Sequence, residues 1–473
     1  MKTSIAAPRE ADRFIESALT GDSPAMPLSR FYPWLDAQRA QRTLRLRRIP
    51  FAALGQWSFA PQWHTLRHRS GKFFTVEGLR VSTDFGPAPV WEQPIIRQEE
   101  IGILGIIARD FHGVRHFLMQ AKIEPGNING VQLSPTVQST RSNYTRVHGG
   151  KPTAYGCYFT EPGRARVLVD RLLYEQGARF LRKRNRNVIV EVEEDIEVED
   201  GFCWLTLGQI KRLLRQDNLV NMSARSVLSC IPFVPPERQA LTRDPRLSDF
   251  GAALAAEFGA ARAPLHAASE LRAWLDDLRA SYSMQLTRRP LDRLESWVFE
   301  EDRISHATGC HFSVIAVAVE ASEREVARWD QPLLQHSGHG INGFLMQRIN
   351  GAMHLLVRAC AFPGNGRLFE LGSTVSRANA KVHFGSANAP LFLEYFQDPP
   401  HSWIRYRAEQ SEEGGRFMHF VSAYMLVELP ADHALDVPEN YRWMTLAQLS
   451  AFNAEGQVNI EGRNLLSCFS LID

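Results

Sequence analysis

Trp91-Glu92-Gln93-Pro94 recurs 238 residues later as Trp329-Asp330-Gln331-Pro332. Outward from this stretch the same spacing keeps returning. Trp34-Leu35-Asp36 comes back as Trp274-Leu275-Asp276 and Trp57 as Trp297, both at 240, and Trp204 as Trp443 at 239. Eight of the ten tryptophans pair in this way. Gly113 and His116 recur as Gly351 and His354, Pro125-Gly126-Asn127 as Pro363-Gly364-Asn365, Thr136-Val137 as Thr374-Val375, and Ser229-Cys230 as Ser467-Cys468. A solenoid repeat is only about 20–50 residues long. The longer period here describes a whole domain written twice, and 473 residues is a natural length for two.

Composition agrees with two ordinary cores. Hydrophobic residues make up 44% and charged residues 22%, enough apolar mass to bury two interiors. A net charge of +2 provides no global field for nucleic acid or an acidic membrane. Two local basic runs stand out: Arg39, Arg42, Arg45, Arg47 and Arg48, then Arg179, Arg182, Lys183, Arg184 and Arg186. Each reads either as a solvated face or as a phosphate patch, since guanidinium groups match phosphate oxygens bidentately. Six cysteines without a CxxC read as reduced thiols. No apolar run reaches membrane-spanning length, and the first residues do not form a signal peptide. The expectation is a cytoplasmic protein with neither a membrane nor a nucleic-acid partner.

The expected organisation is a lead-in over 1–28, a first repeat over 29–236, a helical linker over 237–270 and a second repeat over 271–473. Pro232, Pro235 and Pro236 stop the first repeat, and the Ala-rich stretch 247–262 reads as the linker helix. Residues 34–47 and 272–283 read as equivalent opening helices. Alternating apolar residues make His116–Ala121, His354–Ala359, Val188–Val192 and Ala423–Val427 strands. Thr206 and Thr445 read as N-caps of late helices. The fold class is therefore α+β: a mostly antiparallel, curved sheet with a few helices, present twice.

Several chemistries have no motif here: there is no GxGxxG after a strand, no P-loop, no HExxH and no GxSxG. His311 and His354 have no second ligand at metal spacing, so no metal is proposed. The richest polar stretch is Gln120 to Tyr144, QAKIEPGNINGVQLSPTVQSTRSNY. Alternation puts Gln120, Lys122 and Glu124 on one face of a strand, and Gln132, Thr136 and Gln138 follow on its neighbours. Such a set is either a solvated face or a pocket lined for hydrogen-bonded recognition.

QLSPTVQSTRSNY, YEQGARFLRKRNRNVIVEV and NMSARSVLSCIPF together resemble the NDP-hexose 2,3-dehydratase family, over nearly the whole chain and including its duplication. The resemblance implies action on a nucleoside-diphosphate, usually dTDP-linked, 4-keto-6-deoxyhexose and loss of its C2 hydroxyl as water. It further implies a homodimer with two Nudix-like domains per subunit, no redox cofactor, and a product passed to a 3-ketoreductase. The Nudix hydrolase box is missing, which speaks against pyrophosphate cleavage even on a shared fold.

That chemistry needs a base for the C3 proton, which the C4 ketone acidifies, donors for the enolate oxygen, and an acid at the C2 hydroxyl. Glu124 is the first candidate for the base and Lys122 for the enolate stabiliser. Tyr144 is read as the acid or as a stacking surface for the nucleobase. Arg141, Arg182, Lys183 and Arg186 are candidates for the diphosphate, and Gln120, Gln132, Thr136, Gln138 and Glu175 for further substrate contacts.

At the equivalents of Lys122 and Glu124 the second copy has Cys360 and Phe362, and Gln138 becomes Ser376. Its remaining candidate ligand residues are His354, Glu370, Thr374, Glu412 and Arg416, with Glu413 alongside. Gln410-Ser411-Glu412-Glu413-Gly414 keeps a pattern that Tyr174 breaks in the first copy, so a site borrowing residues across copies or subunits stays open. The expectation places the chemistry in the first copy. The rival class is a nucleotide-sugar binding or assembly protein without turnover.

Overall fold

A computed structural model describes residues 10–144, 152–232, 241–259, 264–322, 326–378 and 390–473. Each repeat opens on a helix, Leu28–Gln41 and Ala268–Ser281, and then enters a strand, Leu44–Ile49 and Met284–Arg289. Residues 44–47 are therefore strand, where a helix was expected. Leu44 and Leu46 alternate with arginines, a period of two that suits a strand with one packed face. Pro235 and Pro236 lie outside the described residues.

The opening strands are exchanged between the repeats. Leu44–Ile49 pairs antiparallel with Ser313–Ala321 of the second repeat, and Met284–Arg289 pairs antiparallel with Thr75–Thr83 of the first. The tryptophan motifs fasten the same exchange. The Trp57 indole donates to the Asp330 carbonyl at 3.0 Å, and the Trp297 indole donates to the Glu92 carbonyl at 2.8 Å. Trp91 and Trp329 each donate to the glutamine two residues on, at 2.9 Å.

Each repeat then builds a seven-stranded, mostly antiparallel sheet. In the first, Arg166–Tyr174, Arg184–Glu191, Gly102–Phe111, Val114–Ile123 and Phe202–Thr206 lie side by side, with one parallel pair between 184–191 and 102–111. The second repeats the order with Ile404–Ser411, Val421–Leu429, Gly340–Ile349, Ala352–Cys360 and Tyr441–Thr445. Thr206 and Thr445 cap the helices Leu207–Leu213 and Leu446–Ala454 with full capping boxes. The largest core runs through both repeats, from Phe117 and Leu133 to Tyr406, Leu449 and Phe469.

The Pro-Gly turns dock reciprocally. Gly126 N–H donates to the Gly414 carbonyl at 2.7 Å, and Gly364 N–H donates to the Gly177 carbonyl at 2.7 Å. A Cβ on Gly126 would stand 1.6 Å from the Phe417 carbonyl oxygen, and one on Gly364 would stand 1.7 Å from that of Phe180. Only glycine permits that approach. Each turn of one repeat is thus pressed against the loop after an edge strand of the other. Among the described residues, no helix is long and apolar enough to cross a membrane.

Candidate active site

A cavity of about 590 Å³ opens where the first repeat's turn meets the second repeat's loop. The first repeat contributes Lys122, Glu124, Gln138, Glu175, Lys183 and Asn185, with an aromatic wall of Trp57, His68, Phe73 and Phe74. The second contributes Arg328, Trp329, Asp330, Gln331, Glu413, Gly415 and Arg416.

A chain of hydrogen bonds holds the acidic centre. Asn221 caps the helix Met222–Leu228 through its Oδ1, which leaves its Nδ2 to donate to Gln138 Oε1 at 2.9 Å. That fixes the amide, whose Nε2 donates to Glu124 Oε1 at 2.9 Å. Lys122 Nζ donates to the Gln138 carbonyl at 2.8 Å. One helix cap therefore sets the orientation of a buried carboxylate two elements away. Glu175 Oε1 accepts from Asn185 Nδ2 at 2.6 Å.

Cations and acids face each other across the cavity. Lys183 donates to the Glu100 carbonyl. Burial pushes its ammonium down to about 8, with Glu175 opposing the shift. Arg416 stacks 4.2 Å over the Phe74 ring and donates to Gln98 at 3.4 Å. Burial lowers the pKa of its guanidinium too, against the attraction of Glu413 and Glu124. Burial pushes the Glu413 carboxyl up to about 8; Arg416 draws it down and Glu124 pushes it further up.

Of the expected first-copy residues, Lys122, Glu124, Gln138, Glu175 and Lys183 come together here. The others stand apart from the cavity lining. The Thr136 hydroxyl accepts from Ile107 N–H at 2.9 Å and donates to the Leu118 carbonyl, so it latches two strands. Gln132 donates to Ser411 Oγ at 2.7 Å and so ties the repeats together. Gln120 sits in the ladder between Ser134 and Phe202. Arg186 is paired with Asp170, Arg182 and Arg141 are exposed, and Tyr144 packs beside a satellite core. The second basic run is thus dispersed by strand alternation, and only Lys183 of it lines the cavity.

The second-copy set also fails to converge. His354 accepts from Leu265 N–H at 3.0 Å and donates to the Ala352 carbonyl at 2.9 Å. Thr374 repeats the strand latch of Thr136, between Leu345 N–H and the Leu356 carbonyl. Glu412 is buried and accepts from Gln176 at 3.0 Å and Tyr424 at 3.1 Å. Glu370 is buried and accepts from Gly366 N–H at 3.1 Å. Arg416, expected in a separate second site, lines the cavity that holds Glu124.

A model described as NDP-hexose 2,3-dehydratase matches residues 28–231 and, a second time, residues 268–469. The chain belongs to the NDP-hexose 2,3-dehydratase family. Three relatives carry the name dTDP-4-dehydro-6-deoxy-alpha-D-glucopyranose 2,3-dehydratase. That of Saccharopolyspora spinosa is 42% identical over 475 residues, covering 98% of this chain and 96% of its own. That of Amycolatopsis orientalis is 43% identical over 467 residues, covering 97% and 94%. That of Streptomyces violaceoruber is 41% identical over 442 residues, covering 93% and 96%.

In this family member the position related to the cavity by the duplication is filled. Phe362 and Cys360 replace Glu124 and Lys122. Phe420 stands where Lys183 does and stacks on His336 at 3.7 Å, and Arg179 Nε donates to that histidine at 3.0 Å. Asn459 still caps its helix, but its Nδ2 has no partner among the described residues, because Ser376 is too short to receive it as Gln138 receives Asn221. The scaffold of the relay is kept and the relay is gone. Sequence reasoning placed Glu413, like Arg416, in a separate second site, and missed Asp330, Trp329 and the aromatic wall as cavity residues. The available signal was Glu413 facing Gln176 in the aligned copies, a charge present only in the second.

The buried acids of the second repeat set a pH dependence. Burial raises Glu370 and Glu461 from the ordinary 4.5 to about 7 each. A raised folded pKa contributes stability that is full below the unfolded value and is lost as pH rises through the folded one. Urea unfolding should therefore show a stability loss from these groups between about pH 4.5 and 7. Glu461→Gln should flatten that slope; an unchanged slope would remove Glu461 from the account.

Proposed function

We propose that the chain removes water across C2 and C3 of a dTDP-linked 4-keto-6-deoxyglucose, as a hydro-lyase of deoxysugar biosynthesis. The observation that carries this reading is the Lys122–Glu124–Gln138 cluster at the foot of a cavity large enough for a nucleotide sugar. Family membership and the names of the three relatives supply the substrate.

Glu124, its Oε1 held by Gln138, takes the C3 proton that the C4 ketone acidifies. Lys122 lies beside it as the cation for the enolate oxygen. Loss of the C2 hydroxyl leaves an enol, which tautomerises to a 3,4-diketo-2,6-dideoxy sugar. Lys183, Arg416 and Arg328 meet the diphosphate, and the aromatic wall of His68, Phe73 and Phe74 provides flat faces for the base. Arg328, at the exposed edge of the cavity, takes a role that the basic run from Arg179 was expected to fill.

We further infer Nudix-like repeats without hydrolase chemistry, supported by a mixed sheet with capped helices in each half and by the missing hydrolase box. A homodimer in the cytoplasm completes the reading, the latter supported by six free thiols. A 3-ketoreductase is the expected consumer, because a 3,4-diketone is reactive until it is reduced.

Incubation with dTDP-4-keto-6-deoxyglucose, trapping with a 3-ketoreductase and NADPH, should yield a 2,6-dideoxy sugar. Substrate binding without that product would favour the non-catalytic binding protein instead.

A further inference from the structure

Dehydration needs a proton at the departing C2 oxygen as well as a base at C3. The residue first considered for that role, Tyr144, stands outside the cavity lining. We propose that Glu413, carried by the second repeat, delivers the proton that takes the C2 hydroxyl away as water. The proposal rests on the dehydratase reading and assigns one further catalytic residue to it.

Three observations converge on Glu413. First, it lines the cavity that holds Glu124, and its Oε2 is shielded from solvent and has no hydrogen-bond partner among the described residues. A shielded carboxyl oxygen that accepts no hydrogen bond favours the neutral acid, and burial pushes this carboxyl up to about 8 against the pull of Arg416. Glu124 differs in its contacts, since its Oε1 accepts from the Gln138 amide. Two neighbouring carboxyl groups, one oxygen holding a donor and the other holding none among the described residues, suit the roles of base and acid.

Second, the main chain keeps the space between them clear. A Cβ on Gly415 would stand 2.6 Å from Glu413 Oε1 and 3.4 Å from Glu124 Oε1, so both oxygens border one point that only glycine leaves empty. Third, the duplication provides an internal control. A Cβ on Gly414 would stand 3.2 Å from Glu124 Cβ, and one on Gly177 would stand 3.1 Å from Phe362 Cβ, so the two turns are equivalent. There Phe362 replaces the base and Gln176 replaces Glu413. Both halves of the pair are missing from the same place.

The step balances without a redox partner. Glu124 has taken the C3 proton, and the electron pair rests on O4 as the enolate. The Glu413 O–H bond breaks and its proton joins the C2 oxygen. The C2–O bond breaks with its electrons leaving on water, a C2–C3 double bond forms, and the C4 carbonyl is restored. Glu413 ends as a carboxylate, and the enol at C3 gives up its O3 proton and gains one at C2 on tautomerising to the ketone.

The test separates proton removal from departure of the leaving group. In D2O, Glu413→Gln should still exchange the C3 hydrogen for deuterium within about tenfold of wild type, while dehydration falls by about 10²–10⁴-fold. With fluorine in place of the C2 hydroxyl the leaving group needs far less protonation, and fluoride release by the variant should stay within about tenfold of wild type. Glu413→Asp, which keeps a carboxyl, should recover part of the dehydration. Dehydration within about threefold of wild type in Glu413→Gln overturns the assignment. So does loss of C3 exchange and fluoride release together with dehydration in both variants. Failure of the wild-type enzyme to dehydrate the hydroxyl substrate at all would strike the dehydratase reading itself.

Discussion

Glu124→Gln should lower dehydration about 10²–10⁴-fold with little change in affinity for the nucleotide sugar. The substitution keeps the shape of the side chain and keeps an oxygen for the Gln138 amide, which Asn221 orients from behind. Packing around the Pro-Gly turn is untouched, because docking there runs through Gly126 and Gly414 main-chain atoms. What is lost is a group able to accept a proton. Exchange of the C3 hydrogen in D2O should vanish with turnover, the opposite of the pattern expected for Glu413→Gln. Single-turnover dehydration and deuterium wash-in measure the two quantities. Near-normal turnover would move the base to another carboxylate of the cavity, and Glu175, fixed by Asn185 at 2.6 Å, is the next in reach.

The sequence made legible whatever depends on neighbours along the chain. Lys122 and Glu124 were found together because alternation carries past the end of the strand Val114–Ile123, so Glu124, the next residue, keeps to the side of Lys122. Thr206 and Thr445 were found as caps because a threonine at the start of a helical apolar pattern is a local signal. Long-range pairing leaves no such mark. Alternation in Leu44–Ile49 fits a strand, yet nothing within it points to a partner some 270 residues away in the other repeat. Polar residues were over-read for the same reason. Thr136 and Thr374 look like pocket residues in sequence and are spent on strand latches in the fold.

The largest difference concerns the meaning of the duplication. Comparing the copies residue by residue suggested one working pocket in the first repeat and a worn one in the second. Because the turns dock reciprocally, a pocket here is not the property of one copy. Arg416 and Glu413 belong by sequence to the second repeat and by position to the cavity around Glu124. The comparison that matters is between two composite places, Glu124 with Glu413 and Phe362 with Gln176.

That interdependence has a stability consequence as large as the catalytic one. Arg225→Ala should lower the unfolding free energy by about 3–5 kcal/mol, because the buried Glu412 carboxyl loses the cation that draws its pKa down. Arg225 is fully buried and donates to the Val220 carbonyl at 2.7 Å, to Gln410 Oε1 at 3.1 Å and to the Ser411 carbonyl at 2.8 Å. Its guanidinium also lies 5.0 Å over the Tyr424 ring. Alanine leaves those acceptors facing a void at the seam between a first-repeat helix and a second-repeat strand. Arg463 makes the reciprocal reach, donating to the Val458 carbonyl at 2.9 Å and the Tyr174 carbonyl at 2.7 Å. With opening strands exchanged and one core running through both halves, the repeats should unfold as a single unit. Denaturant unfolding followed by tryptophan fluorescence and by far-ultraviolet circular dichroism should therefore shift together, in one transition. A second transition left unmoved by Arg225→Ala would mean that the arginine serves one repeat alone, and that the exchanged strands do not bind the two copies into one cooperative fold.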